Sequence, residues 1–180
     1  MSDDKYKDLI VYFNGEFVPW YEANVHIFSP AVKYGASVFE GIRSYYNEEQ
    51  GKAYLFRLKE HMERIEFSQR VMRFAEIAPA GPLCEATIEL MRRNNFKISA
   101  HIRPTVYLDG AGESSARSPI GQFITAVPRG TPEKVKKGVR AQVSSWERIS
   151  DRCMPARAKA NANYNNSRYA GIQASIDGYD

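Results

Sequence analysis

The Asn14-Gly15 pair, set between the runs Leu9–Phe13 and Glu16–Trp20, restricts the fold of this chain more sharply than any other local feature. A two-residue hairpin turn of type I′ needs positive φ at both central positions, and asparagine and glycine tolerate that best. The flanking runs are short, aromatic and β-branched, so the spacing predicts an antiparallel hairpin and commits the N-terminal region to sheet.

Alternation recurs downstream. Ser37–Tyr46 is expected as a strand, with Phe39, Gly41, Arg43 and Tyr45 on one face and Val38, Glu40 and Ile42 on the other. Ala53–Phe56 reads as a short strand and Gln122–Val127 as another. Ala100–Leu108 sets Ile102, Val106 and Leu108 against His101, Arg103, Thr105 and Tyr107, and Pro104 points to an edge or a bulge. Val25–Tyr34 reads as a loop ending at Gly35. Two helices are expected. Leu58–Met72 repeats Leu58, Met62, Ile65 and Met72 at helical spacing, with Glu60/Arg64 and Glu66/Arg70 as i,i+4 pairs. Pro82–Asn94 turns Leu83, Leu90 and Met91 inward. The class is α/β (α+β). Pro128–Gly138, with Gly130, Pro132 and a lysine cluster, reads as a linker. The expected organisation is therefore a small N-terminal α/β domain over 1–127, an interdomain linker over 128–138, and a second domain beginning at 139. That second domain opens with a strand over Val139–Trp146 and continues to a helix over about Asn163–Asp177.

Hydrophobic residues make up 43% and charged residues 26%, a balance that folds rather than stays disordered. The net charge of +4 is spread along the chain. It leans weakly toward anionic small molecules and away from nucleic acid, which needs a clustered basic stripe. Cys84 and Cys153 make neither a disulfide framework nor a zinc site, so no metal is expected and a reduced cytoplasm fits best. Met1–Lys5 is polar without an apolar signal core, and no apolar run is long enough to span a bilayer.

The chemistry concentrates in Ala158–Ser167. Lys159 stands among Ala156, Ala158, Ala160 and Ala162, with Asn163 and Tyr164 close behind. A lysine that forms a Schiff base needs this setting: room for a flat ring, few acids nearby, and polar groups to hold a phenolic oxygen. No P-loop, G-x-G-x-x-G, H-E-x-x-H or paired C-x-x-C offers a competing chemistry.

Four further segments occur with it. They are Tyr34-Gly35-Ala36-Ser37-Val38-Phe39-Glu40-Gly41-Ile42-Arg43, Phe56–Arg64, Ala100-His101-Ile102-Arg103-Pro104 and Ser144-Ser145-Trp146. With the lysine segment, they make the chain resemble the class IV (fold type IV) aminotransferases that depend on pyridoxal 5′-phosphate, most of all the branched-chain-amino-acid aminotransferases. The resemblance covers about residues 9–180.

It implies that Lys159 is the catalytic lysine and the covalent anchor of pyridoxal phosphate. Arg57 is implied to bind the phosphate and Tyr164 the phenolic oxygen. It places Tyr34, Phe39, Gly41, Arg43, His101 and Arg103 around the substrate, with Tyr34 and the loop Asp109–Pro119 reaching a neighbouring subunit of a homodimer. The implied reaction moves the amino group of Leu, Ile or Val to 2-oxoglutarate. D-amino-acid and amine transaminases, an aminodeoxychorismate lyase, or a non-catalytic assembly module are the alternatives.

Two positions depart from the family pattern: His101 stands where tyrosine is usual, and Arg129 where tryptophan is usual. Chains of the family also run on beyond the point matching Asp180, so residues 139–180 are expected as the incomplete start of a larger cofactor-binding domain.

Overall fold

A central strand, β6 (Ala100–Leu108), organises the molecule. It is seen in a computed structural model that describes residues 6–113 and 117–180. Before it along the chain come β1 (Ile10–Phe13), β2 (Glu16–Pro19), α1 (Pro30–Tyr34), β3 (Ser37–Phe39), β4 (Ile42–Asn47), β5 (Lys52–Leu55), α2 (Leu58–Val71) and α3 (Ala80–Asn94). After it come β7 (Ile120–Pro128), α4 (Lys134–Lys137) and α5 (Asn163–Ile176). The strands form one antiparallel sheet in the order β2-β1-β7-β6-β4-β5, with β3 pairing β6 beside β4.

The hairpin forms as its turn chemistry requires. Tyr12 faces Phe17 and Phe13 faces Glu16, while Asn14 and Gly15 take φ of 48° and 100°. Helices α2 and α3 cover one face of the sheet: α2 packs on β3 and β6, and α3 on β1 and β7. Met62, Ile65, Leu83 and Leu90 meet Ile102, Val106, Ile124 and Ala126 there in one buried cluster. The opposite face of β6 carries His101, Arg103, Thr105 and Tyr107. Gly121 lies opposite Tyr107, where an added Cβ would collide with the phenol carbon Cζ; only glycine admits that ring.

Several local expectations need correction. Val25–Tyr34 is not all loop, because Ser29 accepts from Val32 N at 3.3 Å and caps α1, which ends at Gly35. Ser37–Tyr46 is two strands broken at Glu40-Gly41. Pro104 is not on an edge, since β6 is paired on both sides. Its carbonyl accepts from Glu40 N at 2.9 Å. An extended residue points its N and O to the same side, so the missing N–H falls opposite the break between β3 and β4. The stretch after β7 holds the short helix α4. Val139–Trp146 forms no strand: it finds no ladder partner, and Val143 is fully exposed. Among the described residues, no helix is long and apolar enough to cross a membrane, and no cluster of three metal-ligating side chains occurs.

Candidate active site

Lys159 is held in place by the sheet and by α2. The chain around it runs along the free side of β3: Ala160 bridges Val38, Phe39 N donates to Lys159 O at 3.0 Å, and Asn161 N donates to Ser37 O at 2.9 Å. Lys159 N donates to Ser68 Oγ of α2 at 3.1 Å. Ala158 and Ala160 are buried, so their small side chains let the backbone approach β3 closely. The amine is directed outward, toward the start of α5. Nζ lies 2.5 Å from the Tyr164 hydroxyl and 4.7 Å from the Phe39 ring centroid. The Tyr164 and Phe39 rings meet edge to face at 4.9 Å.

The cavity at this amine holds about 190 Å³ and is lined by Lys159, Tyr164, Asn163, Arg64, Arg148 and Arg157, without a carboxylate. Asn163 spans the turn by donating to Ala158 O at 3.1 Å, yet its buried Oδ1 has no partner among the described residues. Arg148 is tied to α5 through Ser167 Oγ.

Arg64 is anchored from below. Its Nε and Nη2 reach the two oxygens of Glu40 at 2.5 and 2.6 Å, and His61 Nδ1 lies 2.8 Å from the same carboxylate. Glu40 is wholly buried at the break between β3 and β4, and a buried carboxylate persists only when paired like this. That bond holds the Arg64 guanidinium above its ordinary range. The expected Glu60/Arg64 pair is therefore absent, and Glu60 instead binds Arg57 Nε at 2.9 Å. Arg57 has a φ of 50° at the residue preceding α2. It lines a second hollow of about 250 Å³ with Glu60, His61 and Arg64, so the two hollows share the Arg64 side chain.

On the face away from the helices, Arg103 lies 3.9 Å from the Phe39 ring centroid and donates to Asn161 Oδ1 at 3.0 Å. Burial pushes its guanidinium down from the ordinary arginine range. His101 pairs with Arg43 across β6 and β4, and a Cβ on Gly41 would stand 3.4 Å from His101 Nε2. Burial first, then the charges of Arg129, Arg43 and Arg103, push the His101 imidazole down from its usual range.

Tyr164, Arg103 and Lys159 thus all meet the Phe39 ring, while Gly41, Arg43 and His101 form a second group on β4 and β6. Tyr34 stands apart from the lysine cavity and bonds Glu113, which Lys33 also reaches at 3.2 Å. The loop Asp109–Pro119 includes residues 114–116, which lie outside the described residues. Glu40, Arg64, Ser68 and Asn161 were not singled out from sequence as site residues. Glu40 alone carried a readable signal, a carboxylate on the apolar face between Val38 and Ile42, which demands a cationic partner.

This fold and site define a class. The family described as Amino-transferase class IV matches residues 37–180, and the chain belongs to that family. It is 39% identical over 176 residues to the branched-chain-amino-acid aminotransferase of Escherichia coli (strain K12), a match covering 94% of this chain and 56% of that protein. The structure superposes with a TM-score of 0.89 on the branched-chain aminotransferase of Thermoproteus uzoniensis with norvaline, at 38% identity, covering 95% of this chain and 57% of that one. It also matches the branched-chain amino acid aminotransferase of Thermobaculum terrenum in its PLP-form (holo-form), with a TM-score of 0.84 at 34% identity, covering 97% of this chain and 58% of that one. The chain therefore spans a little over half the length of the relatives it matches.

Proposed function

We propose that Lys159 anchors pyridoxal 5′-phosphate and that the chain serves the transfer of an amino group from a branched-chain amino acid (Leu, Ile or Val) to 2-oxoglutarate. One observation carries the reading: the Lys159 amine stands against the Tyr164 hydroxyl and over the Phe39 ring, in a cavity lined by arginines and by no carboxylate. The names of the similar proteins, one of them in its PLP-form, support it.

The residues present fit such a group. A phosphate dianion suits the guanidinium forks of Arg148 and Arg157 and the Nη1 of Arg64 that Glu40 leaves free, with Arg57 in the adjoining hollow. The unpartnered Oδ1 of Asn163 is a further polar atom in the same wall. Bound there, the cofactor supplies the electron sink for the bond broken at the substrate α-carbon.

The chain does the rest. Tyr164 holds the lysine amine on one side and is placed to hold a phenolic oxygen. The freed Lys159 Nζ takes the proton from the α-carbon and returns it on the other side of the transfer. Phe39 and Gly41 shape the space for the side chain, and Arg103, His101 and Arg43 offer donors to carboxylates. Glu40 keeps Arg64 from swinging into solvent. Tyr34 and the loop that follows Asp109 serve a second copy in a cytoplasmic homodimer. The division at 1–127, 128–138 and 139–180 is part of the same reading, supported by the end of the sheet at Pro128.

The test is spectroscopic. Purified chain mixed with pyridoxal phosphate is scanned in the visible range, reduced with borohydride, digested and weighed, with Lys159→Ala beside it. A visible band and a pyridoxyl mass on the Lys159 peptide, both missing in the variant, are expected. A folded wild-type chain with no such mass sinks the proposal.

A further inference from the structure

Asn161 stands where β3, β6 and the start of α5 meet, and the transfer proposed above gives it no part. Its backbone N donates to Ser37 O at 2.9 Å, its carbonyl accepts from Tyr164 N at 3.0 Å, and its Nδ2 donates to Ser37 Oγ at 2.7 Å. An arginine only donates, so the amide must turn its oxygen to β6, where Oδ1 accepts from Arg103 Nη2 at 3.0 Å. The same guanidinium lies 3.9 Å from the Phe39 ring centroid. Arg103 is therefore stowed on an aromatic ring and one amide oxygen.

This hold is weak by its chemistry. Asn161 is neutral and meets Arg103 with a single oxygen. A carboxylate brings a charge and two oxygens, and such a bond is roughly twice as strong. Among the described residues Arg103 enters no ion pair, and burial disfavours its charge where it lies. The ring and the amide offset part of that cost, and an incoming carboxylate offsets more of it. In the proposed transfer, the space at Lys159 receives acids of two kinds, one with a branched apolar side chain and one with a second carboxylate. The apolar side chain has nothing to draw Arg103 from Asn161; the second carboxylate does.

We propose that Asn161 is a specificity-determining residue, a latch that stows Arg103 on Phe39 by a neutral bond which a dicarboxylic acid breaks and a branched apolar acid leaves intact. The inference rests on the aminotransferase reading for the identity of the two acids. Its new element is the residue that holds the arginine. An aspartate at this position would lock Arg103 in an ion pair, and an alanine would release it.

The 180-residue chain, with pyridoxal phosphate present, is titrated with glutarate and with 4-methylvalerate by calorimetry, as wild type, Asn161→Asp and Asn161→Ala. The readout is the ratio of the two affinities, because a merely structural disturbance of the lysine segment weakens both acids together. Asn161→Asp is expected to lower glutarate affinity relative to 4-methylvalerate about tenfold, and Asn161→Ala to raise it about threefold. In the wild type, NMR follows the Arg103 Nε–H signal, assigned by its loss in Arg103→Lys. Glutarate is expected to move that signal and 4-methylvalerate to leave it in place. This second measurement needs no change at position 161, so it decides the matter even where a substitution there unfolds the chain.

No binding of glutarate, a ratio that fails to fall in Asn161→Asp or to rise in Asn161→Ala, or an Arg103 signal that both acids move alike overturns the latch. The borohydride-fixed pyridoxyl mass on Lys159 is read from the same samples. Its presence with an unchanged ratio removes the latch alone. Its absence with the expected ratios removes the transfer reading and leaves the latch standing.

Discussion

Between Ile10 and Pro128 the sheet and its two long helices bury whole side chains such as Ile102, Val106, Ile124, Met62 and Leu90. Between Val139 and Asp180 the only buried residues are Ala158, Ala160 and Asn163. The first region carries its own core. The second is ordered where it leans on the first, through the bonds from Lys159, Ala160 and Asn161 to β3 and α2. α5 leaves Tyr169 and Ile176 in solvent, with Trp146 stacked on Tyr169 at 5.0 Å as one of its few contacts outside the site. The reactive lysine thus sits on the seam between the two regions, and its position depends on the sheet more than on the residues that follow it.

The strongest attempt to break this comparison pairs two isoleucines. Ile102→Ala empties a fully buried site and is expected to cost about 3 kcal/mol. Ile176→Ala, at 73% exposure, is expected to change stability by less than about 0.5 kcal/mol. Urea titrations of both variants decide it; equal losses would mean that the C-terminal region has a core of its own.

Gly121→Ala comes next, because its Cβ would run into Tyr107 Cζ. Displacing that ring is expected to cost about 2 kcal/mol. An unchanged thermal midpoint would show that β7 shifts freely.

Ser68→Ala sharpens the comparison at the seam. It removes the acceptor of Lys159 N and is expected to cost about 1 kcal/mol. Amide exchange should rise over 158–161 while β6 and β7 keep their protection. Faster exchange throughout the sheet would contradict a local role.

The smallest effect concerns pH. The His101 ring titrates below its ordinary midpoint, so the unfolded chain binds this proton more readily than the folded one. The contribution is complete above the ordinary value of about 6.5 and is lost as pH falls through that value toward the lower folded midpoint. His101→Gln should flatten that slope slightly in stability measured from pH 7.5 to 5; a steeper slope in the variant contradicts the sign.

Much of this was readable without coordinates, for reasons of range. The hairpin, α2, α3 and the alternating faces of β6 follow from turn chemistry and from periods of two and 3.6, which neighbouring residues enforce on each other. The lysine segment was readable too, since small residues around one lysine and a following tyrosine lie within a few positions.

Long-range pairing was not. The sequence of β6 shows a proline and suggests an edge; the sheet instead surrounds it and places the missing N–H at the break by Glu40. Arg64 has a suitable acid four residues away in Glu60, and the fold gives it Glu40 instead, because a carboxylate sealed in the core costs more to leave unpaired than one in water. Val139–Trp146 has the composition of a strand and no partner to form one. What the sequence by itself determined is the set of local elements and the chemistry at Lys159. Which charges meet, which strand is central, and that Arg43, His101 and Arg129 surround one hollow were decided by the tertiary structure, because hydrogen-bond ladders and ion pairs join residues that no local pattern connects.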